Sequence, residues 1–440
     1  MRGTGDTGGE RAIVVGLHLT SARGRSATAL TTAEESLDEL AALAAGAGAR
    51  VVDRVLQSRD SAEAATLIGS GKVEELSARV QATRADMAVF DRELSPTQLR
   101  NLERALATKV LDRTQLILDI FARRARTREG QLQVEYAQLN YLLPRLSGRG
   151  IEMSRLGGGI GTRGPGETQL ETDRRRIFRR LRKIEKDLER VRAGRSVHRR
   201  KRETVPLATI ALVGYTNAGK STLFNRLTGA GVLADDRLFA TLDPTVRAVT
   251  LPSRRKALLS DTVGFIRNLP TTLVKAFRAT LEEVTEAALL LHVVDASSPA
   301  AAERTAHVFK VLHEIGATSI PHLMVLNKTD LLSDAGGQSE ALVRRIVGAV
   351  ESETNPAAVT VSARTGAGLD GLLKAIDESI PADPVAHTRF RFPLRAGAEM
   401  HLVHEGARVL SVAYSDRYCE METEAPESLR RRLRRFIQRR

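Results

Sequence analysis

Gly214-Tyr215-Thr216-Asn217-Ala218-Gly219-Lys220-Ser221 follows a short apolar run, Thr209 to Val213, and leads into a helical stretch that reaches Leu227 before Gly229. Strand, glycine-bounded loop and helix in that order are the setting a phosphate-binding loop (P-loop) requires. Glycines let successive backbone N–H groups face a phosphate at a helix N-terminus. Lys220 neutralises charge on the β- and γ-phosphates, Ser221 offers its hydroxyl to Mg2+, and Thr222 is the next residue of the nucleotide site.

Downstream, Leu258 to Ser260 leads to Asp261-Thr262-Val263-Gly264 at the end of another strand. There a carboxylate can hold Mg2+ through water and a glycine amide can sense a γ-phosphate. Between the two lies Phe239-Ala240-Thr241-Leu242-Asp243-Pro244-Thr245, a loop able to supply a second hydroxyl to the metal; Thr241 is the expected ligand and Thr245 the alternative. The strand His322 to Leu326 delivers Asn327-Lys328-Thr329-Asp330, and a buried Asp330 carboxylate would accept from guanine N1–H and the exocyclic amine, a donor pair adenine lacks. Ser362-Ala363-Arg364, after Val359 to Val361, completes the base pocket through backbone amides near O6. These elements predict an α/β GTPase domain with a mainly parallel sheet, with Lys220, Thr241, Asp261 and Gly264 as its catalytic set. Phe265 stands where many small GTPases carry the Gln that orients the attacking water, so slow intrinsic hydrolysis is expected, with water positioned by another group or by a partner.

Upstream, Ala12 to Leu19, Val51 to Gln57 and Met87 to Phe90 read as strands, and Ser61 to Val80 and Ser95 to Ala107 as helices, which makes a small α/β domain. Ser95-Pro96-Thr97-Gln98 has the form of a helix start. Gly69-Ser70-Gly71-Lys72 lacks P-loop spacing and reads as a turn before a helix. From Asp112 to Leu146 the pattern is long and helical, with Leu132, Tyr136, Leu139, Leu143 and Leu146 on a heptad seam and Pro144 expected to kink or end it. A second seam, Ile177, Leu181, Ile184, Leu188 and Val191, follows Thr168-Gln169-Leu170-Glu171, a capping-box form. Two equal seams pair most simply as a long antiparallel helical hairpin. Its tip, 147–167, holds eight glycines between positions 148 and 166, interrupted by Ile, Met, Leu, Thr and Pro, so a recognition loop is expected rather than a flexible linker.

The chain has 440 residues, 42% hydrophobic and 27% charged, room for about three domains at ~150 residues each. No window approaches a membrane span, the first ten residues lack a secretory core, and one cysteine, Cys419, forms neither an internal disulfide nor a Cys-based zinc site. A soluble, cytoplasmic protein, with at most peripheral membrane association, is expected, a monomer because its heptads can pair internally. Lys and Arg number 67 against 53 Asp and Glu. The excess concentrates in Ile151 to Val205, 17 basic against 8 acidic, and in Glu427 to Arg440, seven Arg against one Glu. Such segments bind phosphate backbones or form solvated helix faces. Aromatics at 4% and no Trp argue against a base-stacking platform and for structured RNA, with Arg149, Arg155, Arg163, Arg174, Arg175 and Arg176 as candidate contacts.

In these motifs the chain resembles the HflX family of translational GTPases, in the Obg-like branch of P-loop proteins. The resemblance is nearly full length. It is carried most specifically by Ile68 to Leu76, Leu111-Asp112-Arg113-Thr114, Gln138 to Leu146 and Gly161 to Glu171; Phe239 to Pro244 looks like the family's first switch. It implies a GTP hydrolase with Mg2+ that binds the large ribosomal subunit and its rRNA, reaches toward the peptidyl-transferase centre with its N-terminal region, and splits stalled or stressed 70S ribosomes. Some members are reported to use ATP as well, but no second phosphate loop is visible here. A GTPase of large-subunit assembly and a nucleotide-gated rRNA-binding module are the rival readings. The expected map is a disordered N-terminus (1–10), an N-terminal α/β domain (11–111), the hairpin (112–204), the GTPase domain (205–383) and a small basic α+β C-terminal domain (384–440).

Overall fold

The computed structural model describes residues 9–20, 27–148, 169–202, 207–231, 238–239, 241–267, 283–332, 348, 357–380 and 384–438. These form two compact units. The first holds the described residues up to Glu189 with those between Asp235 and Asp243 and between Ile266 and Arg278; the second holds the rest.

In the first unit β1 (Arg11–Leu19), α1 (Ala27–Gly46), β2 (Arg50–Arg59), α2 (Ser70–Thr83), β3 (Met87–Phe90), α3 (Pro96–Leu106) and β4 (Lys109–Asp112) build an all-parallel sheet of order β2-β1-β3-β4. β1 is buried from Ala12 to Leu17, as a strand covered on both faces must be. Two sequence expectations need correction. The α1 helix was not foreseen, although Leu37, Leu40 and Leu43 repeat at helical spacing and are buried. The helix expected from Ser61 begins only at Ser70: Glu63 bridges Leu67, Thr66 Oγ1 donates to Ile68 O, and Leu67 takes a left-handed φ of 66°, which together turn the chain before Gly69. At α3 both halves of the capping box form between Ser95 and Gln98.

The stretch expected to be one long helix is two, α4 (Arg113–Arg124) and α5 (Arg128–Leu142), followed by a 3-10 segment, Leu143–Gly148, where Pro144 breaks the pattern. The break at 125–127 is held by a distant carboxylate. Asp243 Oδ2 accepts from the backbone N–H of Arg126 and Thr127, each at 2.9 Å, and Oδ1 accepts from Thr127 Oγ1. Beyond it α6 (Gln169–Arg202) supplies Ile184 and Leu188, which cluster with Leu132, Tyr136 and Leu139 of α5. Arg180 pairs with Glu135, and Tyr136 Oη donates to Glu185.

Two motifs singled out in the sequence serve packing. Arg113, 2% exposed, donates to Asp91 (2.6 Å) and to Glu39, while Ser36 Oγ donates to the other oxygen of Asp91. Buried Asp112 accepts from the N–H of Leu94 and Gln115 and pairs with Arg145, whose guanidinium stacks 3.5 Å over Tyr141. Charges taken out of water this way hold because each has partners.

The second unit contains β5 (Thr209–Gly214), α7 (Lys220–Thr228), β6 (Thr245–Thr250), β7 (Lys256–Asp261), β8 (Leu289–Asp295), α8 (Ala301–Glu314), β9 (His322–Asn327), β10 (Ala358–Thr360) and α9 (Leu369–Ser379). Its sheet has the order β10-β9-β8-β5-β7-β6, parallel except for β6 against β7. β11 (Val385–Pro393), α10 (Gly397–Gly406), β12 (Arg408–Tyr414), β13 (Tyr418–Pro426) and α11 (Glu427–Arg432) follow, with an antiparallel sheet of order β11-β13-β12 over its own core of Phe390, Phe392, Met421 and Leu429. The basic helix expected at the end is short, six residues and a 3-10 turn. Among the described residues no helix is long and apolar enough to cross a membrane.

Candidate functional site

The parallel sheet brings the carboxyl ends of β5, β7 and β9 to one edge, where open α/β sheets bind ligands. After β5 the chain turns through Gly214 (φ 146°), Asn217 (φ 59°) and Gly219 (φ 94°) into α7. A Cβ on Gly214 would lie 2.2 Å from Val293 O, and one on Gly219 2.2 Å from Asn327 Nδ2, so both positions need glycine for space as well as for φ. Lys220 is buried and donates to the carbonyls of Gly214 (3.2 Å) and Tyr215 (2.8 Å). Burial pushes its pKa down to about 8, and the negative charge of Asp261 opposes that shift. Ser221 Oγ donates to Asp261 Oδ2 at 2.7 Å, and Asp261 is fully buried. A hydroxyl and a carboxylate this close are hard oxygen donors of the kind Mg2+ takes beside phosphate oxygens and water.

The segment after β7 lies on the P-loop. Phe265 N–H donates to Gly214 O and Phe265 O accepts from Thr216 N–H, which makes a parallel bridge between Tyr215 and Phe265. Thr262 Oγ1 donates to Leu212 O, and Val263 is buried. A Cβ on Gly264 would come within 2.9 Å of Thr216 Cα and 2.8 Å of Lys220 Nζ. Only glycine permits that approach. The Phe265 side chain is buried and apolar, with no group that could orient water.

At the end of β9 Asn327 joins two loops: Nδ2 donates to Ala218 O (2.8 Å), and Oδ1 accepts from Ala363 N–H (2.9 Å). Lys328, in a left-handed turn, donates to Asp295 at 2.7 Å, and Thr329 N–H reaches Val361 O. Asp330 is exposed, where burial was expected, because it follows that turn onto the rim; its Oδ1 accepts from Ser362 Oγ at 2.7 Å. Three contributors were missed by sequence reasoning: Asp295, Arg226 of α7, and the pair Arg304 and His307 of α8 that flanks the Tyr215 ring. All sit in ordinary amphipathic or strand contexts that carry no motif.

Phe239, Leu242 and Asp243 lie in the first unit. Phe239 and Leu242 are buried, Phe239 meets Phe121 edge-on with centroids 4.7 Å apart, and Asp243 holds the Arg126–Thr127 turn that precedes α5. Thr241 is half-buried. Arg174, Arg175 and Arg176 are exposed on α6, the latter two beside Glu171 and Asp173. Ala240, Arg149, Arg155 and Arg163 lie outside the described residues, as does nearly all of the tip.

A P-loop, a buried strand-end aspartate beside its serine, and an Asn-Lys-x-Asp strand end define a GTP hydrolase of the P-loop class. Family models match in series: "GTP-binding GTPase N-terminal" over 34–122, "GTP-binding GTPase Middle Region" over 124–202, and "50S ribosome-binding GTPase" over 209–328. The chain is 46% identical over 404 residues to the GTPase HflX of Caldanaerobacter subterraneus subsp. tengcongensis, covering 92% of this chain and 90% of the relative. It is also 46% identical to the GTPase HflX of Escherichia coli K12, over 88% and 87% of the two chains. A solved GTP-binding protein from the archaeon Sulfolobus solfataricus, in complex with GDP, shares 26% identity over 84% of this chain and 98% of its own, with a TM-score of 0.43. The chain belongs to the HflX family of GTPases.

Proposed function

We propose that this GTPase binds the large ribosomal subunit through its rRNA and uses the GTP cycle to split stalled or stressed 70S ribosomes. The match of 209–328 to a 50S ribosome-binding GTPase model carries the reading. The exposed Arg174 to Arg176 run on α6 supports it as a phosphate-backbone contact. In this reading 112–204 is an arm, with 147–167 and Arg149, Arg155 and Arg163 at its tip; 11–111 and 205–383 are α/β domains, and 384–440 is a small basic domain. The protein acts as a cytoplasmic monomer.

At the nucleotide, residues 214–222 wrap the phosphates, Lys220 neutralises their charge, and 327–330 with 362–364 read guanine. Ser221 and Thr241 would hold Mg2+, with Asp261 behind them through water, and the bound ion would supply electrostatic stabilisation of the charge that develops as GTP and water become GDP and phosphate. Gly264 would offer its amide to the γ-phosphate. Phe265 contributes backbone alone to the P-loop, so turnover of the free protein is slow and rises when a partner orders the water. Binding energy can displace the subunit equilibrium without chemistry if the protein prefers the free large subunit, and hydrolysis then resets affinity.

The test is GTP turnover by the full chain, alone and with purified large subunits, at two salt concentrations. Stimulation that weakens at higher salt is expected. Absence of stimulation by mature subunits, with enrichment on immature ones, would replace splitting by assembly. A non-hydrolysable GTP analogue that abolished splitting would overturn the binding-driven step.

A further inference from the structure

Arg226 lies in the last turn of α7, the helix that begins at the P-loop, and its side chain crosses to the base loop. Its Nε donates to Ala363 O at 3.2 Å and its Nη2 to Arg364 O at 2.6 Å. A planar guanidinium fork spanning two consecutive carbonyls restrains their peptide planes more tightly than a single donor can.

The amides of that loop show what the restraint is for. Ser362 N–H donates to Ala367 O, Ala363 N–H to Asn327 Oδ1, Thr365 N–H to Ser362 Oγ, Gly366 N–H to Ser362 O and Ala367 N–H to Thr365 Oγ1. Among the described residues, the Arg364 N–H is the one amide from 362 to 367 with no protein acceptor. It shares its peptide plane with Ala363 C=O. In a trans peptide the two groups point in opposite directions, so fixing Ala363 O also fixes the line along which Arg364 N–H points.

We propose that Arg226 is a positioning residue for guanine selectivity: by clamping the carbonyls of Ala363 and Arg364 it aims the Arg364 amide at the guanine O6 acceptor. Adenine presents an amino donor at the same place, and a fixed N–H rejects it. This rests on the assignment of 362–364 to the base pocket and is independent of the ribosome reading. Asp330, held by Ser362, takes the N1–H and 2-amino donors beside O6, so the two contributions can be separated with analogues.

The experiment compares full-length wild type with Arg226→Met and Arg226→Lys, measuring Kd for GDP, 6-thioguanosine diphosphate and inosine diphosphate. The thio analogue keeps both donors to Asp330 and replaces O6 by a poorer acceptor; inosine diphosphate keeps O6 and loses the 2-amino group. Ratios of Kd within one preparation do not depend on the fraction folded. The wild type should bind GDP more tightly than the thio analogue. In Arg226→Met that preference should fall about fivefold, the size of one hydrogen bond, with the inosine-to-guanosine ratio unchanged. Arg226→Lys, which offers one donor direction at a time, should lie between. A thio preference retained in full by Arg226→Met overturns the proposal, and so does a change confined to the inosine ratio. A wild type with no thio preference would overturn the base-pocket assignment and the proposal with it.

Discussion

Lys220 illustrates how a motif residue acquires its chemistry from position. Its ammonium is buried among P-loop carbonyls, which disfavours the charge until phosphates arrive. Lys220→Ala should therefore lower GDP affinity by about 10–100-fold, the loss of one or two charge-assisted hydrogen bonds, measured by nucleotide titration. His292 of β8 is a different case, a titratable group in the core. Burial, with smaller contributions from the charges of His322 and Lys220, holds its pKa down to about 3. The unfolded chain takes up this proton near pH 6.5, so the folded state loses stability as pH falls from there toward 3, by up to about 1.4 kcal/mol per pH unit. His292→Leu should flatten the pH dependence of urea unfolding between pH 6 and 4 relative to wild type; equal slopes would mean the imidazole is not buried neutral. The P-loop lysine was legible because its spacing is rigid. His292 was not, since a continuous apolar run buried on both faces does not show from its letters what surrounds its one imidazole.

Among elements, α3 and α5 start by opposite means. The α3 cap is local, Ser95 with Gln98 three residues on, and so could be read from the sequence. The start of α5 depends on Thr127 together with Asp243, more than a hundred residues away. Asp243→Ala removes three hydrogen bonds from that start and should cost about 1–2 kcal/mol, with faster hydrogen exchange at the 128–132 amides and no change at 96–100. Unchanged protection at 128–132 would show that Thr127 caps the helix unaided. The Arg113 cluster has a larger effect. Burial raises the pKa of Asp91, and the nearby Arg113 and the Ser36 hydroxyl offset this. Arg113→Met would remove the guanidinium that bridges the Asp91 and Glu39 carboxylates in a nearly buried site. A loss of about 3–5 kcal/mol in denaturant unfolding of the first unit is expected. Asp112 and Arg113 were recognised as a motif, but a string of letters does not show that the motif is an internal ion-pair network.

Across the whole molecule the excess of basic residues makes a prediction about rates. If α6 and the residues joined to it contact phosphate backbone, Arg174→Glu combined with Arg176→Glu should weaken stimulation by large subunits at least as much as a rise in salt does. Turnover of the free protein should stay at its wild-type value. A double variant stimulated like wild type would move the RNA contact elsewhere. The order of strand, P-loop, strand-end aspartate and Asn-Lys-x-Asp was determined by the sequence alone, because each is a short, contiguous pattern whose chemistry depends on residue type and spacing within a few positions. The α3 cap and the Pro144 break were legible in the same way. Only the tertiary structure decided that Asn327 joins the P-loop to the 362–367 loop, that Asp243 holds the turn before α5, that Arg226 bonds the carbonyls of Ala363 and Arg364, and that the family motifs around Arg113 are buried salt bridges. The physical reason is common to all four. Each is an interaction between groups far apart in the chain, whose energy depends on distance, burial and direction, and those exist only once the chain has folded.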